Sequence, residues 1–64
     1  ITIIFVEQSR DRVKVSWRSR GDHDVSQIAY RFGGGGHKPA AGAEISGKLE
    51  DVKEMIITET YKLL

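Results

Sequence analysis

The 64-residue sequence predicts a small α+β domain, a mixed sheet with two helices in the order β-β-α-β-α. Three observations carry this. Residues 12–19 alternate polar and apolar, the period of a strand with one buried face. Val25, Ile28, Ala29 and Phe32 recur at helical spacing. A second helical stripe follows near the end, at Leu49, Val52, Met55, Ile56 and Leu63.

Each element follows in order. Ile1 to Gln8 is β-branched and aromatic, so it reads as a strand. Both of its faces start apolar, which predicts a strand covered on both sides. Ser9, Arg10 and Asp11 make the hairpin turn. In the second strand Val13, Val15 and Trp17 share the core face, and Lys14, Ser16 and Arg18 share the other. Asp24 with Gln27 three residues on fits a capping box that opens the first helix, and Gly33 stops it. Residues 33–42 read as a Gly- and Ala-rich connection holding the only proline, Pro39. Ala43 to Ser46 reads as a short third strand. The last helix starts near Gly47 or Lys48, where Glu50 and Asp51 complement its dipole.

Composition narrows the function classes. With no cysteine there is no disulfide and no thiolate zinc site. His23 and His37 stand apart and do not form a metal-ligand set, and no role falls to His23. No apolar run is long enough to span a membrane, and the apolar start Ile1 to Val6 is too short, and lacks the basic leader, to resemble a signal peptide. A cytoplasmic protein without a membrane partner is the expectation. The start at isoleucine in so short a chain suggests a piece of a larger protein. Charge is uneven: residues 10–38 hold seven basic against three acidic side chains, while residues 39–64 hold three against five. A basic segment beside an acidic one suits an anionic ligand or a mixed solvated surface.

The run Gly33-Gly34-Gly35-Gly36-His37-Lys38 is the most informative stretch. Glycines in series are useful where backbone must approach something closely, and their amides can form an anion-binding nest. His37 and Lys38 would add donors and positive charge. The alternative is a flexible loop with a helix C-cap. Neither the P-loop nor the dinucleotide fingerprint fits, and both place their glycines before a helix rather than after one. Arg18 and Arg20 form a second cluster, able to grip a phosphate or stack on a base, or simply to be solvated. Trp17 lies on the Val13 and Val15 side and is expected in the core. No catalytic constellation is legible, so the chain shows binding chemistry without a reaction centre.

Three segments together carry a family resemblance. They are Val15-Ser16-Trp17-Arg18-Ser19-Arg20, Asp24-Val25-Ser26-Gln27-Ile28-Ala29, and Phe32-Gly33-Gly34-Gly35-Gly36-His37-Lys38-Pro39-Ala40-Ala41-Gly42-Ala43. They resemble the DHH-associated domain, the C-terminal substrate-binding domain of DHH-family phosphoesterases. The likeness is closest to the oligoribonuclease and 3′-phosphoadenosine 5′-phosphate (pAp) phosphatase type. It is weaker to RecJ-like exonucleases and cyclic-dinucleotide phosphodiesterases. The resemblance implies that residues 1–64 are such a domain, incomplete at its N-terminal end and inactive alone. It implies a partner lobe carrying Asp- and His-rich motifs and two divalent ions, usually manganese. The Asp-His-His motif is absent here, since Asp22-His23-Asp24 ends in aspartate. It further implies that Gly34, Gly35, Gly36, His37 and Lys38, with Arg18 and less directly Arg20, hold the phosphates of short RNA or a nucleotide. A non-catalytic nucleic-acid-binding module is the alternative.

Overall fold

In the computed structural model, which describes residues 1–64, the second strand is the centre of the molecule. The elements are β1 (Thr2–Ser9), β2 (Arg12–Arg18), α1 (Val25–Arg31), β3 (Gly35–His37), β4 (Ala40–Ser46) and α2 (Leu49–Tyr61). The sheet runs β1-β2-β4-β3, and every pairing is antiparallel. The α+β class is as expected. The sheet nevertheless has four strands rather than three and no parallel pair. Residues 33–42 are no mere connection: they contain β3 and the start of β4, which meet in a tight hairpin at Lys38 and Pro39. Glycine has weak strand propensity, so β3 exists only because β4 pairs with it.

Alternation on β2 divides the sheet into two faces. Val13, Val15 and Trp17 are fully buried, and their register partners Ile45, Ala43 and Ala41 face the same way. Both helices cover this inner face, α1 beneath β3 and β4, α2 beneath β1 and β2. Val25, Ile28 and Ala29 of α1 and Val52 and Ile56 of α2 complete one core. Each fully buried Val or Ile side chain contributes about 1.5–3 kcal/mol. Trp17 is the largest fully buried side chain of the core. Its indole N–H donates to the Thr60 hydroxyl at 2.9 Å, and its ring stacks on Phe32 with centroids 6.4 Å apart. One side chain therefore ties the sheet to both helices.

Two burial expectations are corrected. β1 is an edge strand whose outer face no layer covers, so Ile4 and Val6 stay 45% and 51% exposed. Only Ile3 and Phe5 pack towards the core. On α2, Met55 is exposed and Thr60 takes its place in the buried stripe, because the helix turns Val52, Ile56 and Thr60 inward.

Helix ends follow local chemistry. Asp24 caps α1, accepting from the Ser26 amide at 3.0 Å and from the Ser26 hydroxyl. The capping partner is thus Ser26 rather than the reciprocal Gln27 contact of a capping box. The Ser26 hydroxyl bond, helped by its amide, holds the Asp24 carboxyl below its ordinary range. At the other end the Gly33 amide bonds the Tyr30 carbonyl and the Gly34 amide bonds that of Ala29, a Schellman closure with Gly33 at φ +81°. Across the helices Glu59 accepts from Lys62 and Arg31, Lys62 foremost in keeping its carboxyl ionised. No helix is long and apolar enough to cross a membrane.

Two stability outcomes follow. Thr60→Val keeps the shape but strands the buried indole N–H, and chemical denaturation should show a loss of about 1–3 kcal/mol. Asp24 has a folded pKa depressed below its unfolded value, so its contribution is complete above the ordinary carboxylate range. It is lost as pH falls through the folded value. Asp24→Asn should therefore flatten the acid limb of a stability–pH profile while still capping α1.

Candidate functional site

The outer face of the sheet has no covering layer and carries the chemistry. β2 presents Arg12, Lys14, Ser16 and Arg18 there, the polar half of its alternation. Register fixes their neighbours. Arg18 lies between Thr2 and Ala40, with His37 beyond Ala40. Ser16 lies between Ile4 and Gly42, with Gly35 beyond. Lys14 lies between Val6 and Glu44. Two shallow depressions mark this face. One of about 270 Å³ is lined by Lys14, Ser16, Arg18, Gly35, Gly36 and Gly42, among others. The other, about 570 Å³, adds Arg12, Gly33, Gly34 and Glu44, and shares Lys14, Gly35 and Gly42 with the first.

Electrostatics favours an anion here. Arg12 is partly neutralised by Glu44 at 3.5 Å, whereas Lys14 and Arg18 make no ion pair. A separate depression on α2 is lined by Asp51, Glu54, Met55, Thr58 and Glu59 and would repel a phosphate.

The glycine run does not form a nest of consecutive amides. From Gly35 to His37 it is strand, where successive N–H groups point to opposite edges. Its amides before that are spent on closing α1. The glycines are needed for close approach. A Cβ at Gly34 would stand 2.1 Å from the Gly42 carbonyl oxygen, and one at Gly36 would stand 2.5 Å from the Ala41 Cα. The result is a strip of sheet whose floor is bare backbone beside a row of cations.

The predicted residues divide accordingly. Arg18, Gly35 and Gly36 line the smaller depression and Gly34 lines the larger. His37 shares the register row of Arg18 on the edge strand. Arg20 lies in the bend after β2, and Lys38 lies in the hairpin turn, both exposed and outside either depression. The Lys38 carbonyl accepts from the Val25 amide, and its ammonium lies close enough to help lower the Asp24 pKa. Lys14, Ser16 and Gly42 were not among the expected site residues. The parity of β2 already placed the first two beside Arg18; Gly42 needed the β2–β4 register. No group of three or more His, Cys, Asp or Glu is gathered to hold a metal ion, so this chain's residues do not fit a resident metal.

Comparison with known proteins decides the family. The model of the DHHA1 domain matches residues 1–62. The chain belongs to the DHHA1 domain family. It is 47% identical over 47 residues, 73% of its length, to a Thermus thermophilus protein named bifunctional oligoribonuclease and PAP phosphatase NrnA. It is 42% identical over 48 residues, 75% of its length, to the Mycoplasma genitalium protein of the same name. It is 41% identical over 51 residues, 78% of its length, to Bacillus subtilis oligoribonuclease NrnB. The matched regions are 14%, 15% and 12% of those relatives, so the DHHA1 domain spans only a small part of their length.

Crowding around the glycines gives a direct test. Gly34→Ala should destabilise the DHHA1 domain by about 1–3 kcal/mol or more through overpacking. Gly21→Ala, with nothing within 4 Å of the added carbon, should be near neutral in the same denaturation assay.

Proposed function

We propose that this DHHA1 domain is the substrate-gripping lobe of a phosphoesterase that hydrolyses short oligoribonucleotides or pAp. One observation carries the reading: Arg18, unpaired, stands on the open face beside a floor of bare glycine backbone. A guanidinium can hold a phosphate through two parallel hydrogen bonds, and a floor without side chains lets the phosphate sit close to the sheet. His37, one strand beyond Ala40, supplies a further donor at the same end. The names of the relatives, which speak of oligoribonucleases and PAP phosphatases, support the same substrate class.

The division of labour follows from what the chain contains. Hydrolysis assisted by two divalent ions needs carboxylate and histidine ligands around them. Those ligands, and the manganese or other ion they hold, belong in this reading to another lobe of the full-length polypeptide. This lobe contributes orientation and charge stabilisation, which can account for a large share of a rate enhancement. The reading sets the protein in the cytoplasm, with short RNA and nucleotide phosphates as partners. Gly34, Gly35 and Gly36 act through shape, and Arg20 and Lys38 through long-range charge only.

The test is kinetic. Arg18→Ala in the full-length protein should lower kcat/KM for a short oligoribonucleotide and for pAp by about ten- to a hundredfold, the worth of one charged hydrogen-bonding group at about 1.5–3 kcal/mol. Arg18→Lys should recover only part of this, because an ammonium cannot make the bidentate contact. Unchanged kinetics for both substrates in Arg18→Ala and His37→Ala would sink the proposal.

A further inference from the structure

The cations of the open face form a line, and the line is longer than one phosphate needs. Arg18, Ser16, Lys14 and Arg12 share one side of β2, so consecutive members are about 6.6 Å apart along the strand. That step is close to the phosphate repeat of an extended single strand. Arg18 and Lys14, two steps apart, are separated by about 13 Å at their backbones. Lys14 lies where the two depressions meet, lining both. Glu44 stands opposite it but is engaged by Arg12, so the Lys14 ammonium remains free. Beside this line, on β1, Ile4 and Val6 offer an exposed aliphatic strip facing the same side. Cations in file suit a single strand whose phosphates track one line, and the aliphatic flank gives its bases an apolar surface to one side.

We infer that Lys14 holds a second phosphate, so that the open face reads an extended single-stranded oligonucleotide along β2 from Arg18 towards Arg12, with bases over Ile4 and Val6. This inference rests on the phosphate-gripping role of Arg18 and extends it. The two phosphates of pAp span one step of this line, whereas the three linkages of a tetranucleotide span the two steps from Arg18 to Lys14. Lys14 thus favours oligonucleotides over pAp.

The experiment compares a tetraribonucleotide and pAp on the full-length protein. Lys14 is exposed, so Lys14→Gln keeps the fold. In that variant the ratio of kcat/KM for tetranucleotide to that for pAp should fall about tenfold. The slope of log Kd for the tetranucleotide against log salt should shrink by about 0.7, one phosphate contact on a single strand. Lys14→Arg should restore both. Arg18→Ala should weaken both substrates. If Lys14→Gln weakens the two substrates equally, the open face is instead covered by another lobe or senses charge alone, and the second subsite is overturned. If Lys14→Gln is silent while Arg18→Ala is not, the second subsite is likewise overturned and the first stands. If both variants are silent, the phosphate-gripping reading itself is lost.

Discussion

The alternation along β2 is the constraint on which the rest of the molecule depends. Side chains on a strand point to opposite faces in strict turn, so one run of seven residues sets the core and the open face together. Val13, Val15 and Trp17 cannot be buried without Lys14, Ser16 and Arg18 being delivered to the other side. A slip of one residue against β1 or β4 would bury cations and expose the tryptophan. The core therefore holds the site in register, and the indole bond to Thr60 reinforces it from beneath.

Legibility in the sequence tracked how local the cause was. β2, the β1–β2 hairpin, the Asp24 cap and the acidic first turn of α2 depend on neighbours within a few residues, and each was readable. β3 was not, because Gly35 and Gly36 carry no propensity of their own and their pairing partners, Gly42 and Ala41, lie across a turn. The faces of β1 were misjudged for a related reason. An apolar pattern does not tell whether a layer exists to cover it, and Ile4 and Val6 meet none. Met55 failed similarly: its helical spacing fits the stripe, but Thr60 has a partner in Trp17 and Met55 has none.

The candidate site shows the same division. Arg18 and the glycines were evident as residue types, and Lys14 was visible as a neighbour of Arg18 by parity. What the glycines do was not evident. Their run looked like a device for binding, and it turns out first to be a device for packing, with Gly33 closing α1, and Gly34 and Gly36 pressed on β4. Binding and packing are not rivals here, since the same missing side chains that allow the close contact also leave the floor bare.

The hairpin between β3 and β4 is fastened at its tip by main-chain atoms alone. The Lys38 carbonyl receives the Val25 amide and the Pro39 carbonyl receives the Ser19 amide, at 3.0 and 2.9 Å. These bonds join the end of β2 and the start of α1 to a turn well over ten residues further along the chain. Because no side chain takes part, substitution at Ser19 or Lys38 leaves the fastening in place so long as Ser19, whose amide donates, does not become proline. The surface loop is free to change its chemistry while its position is kept.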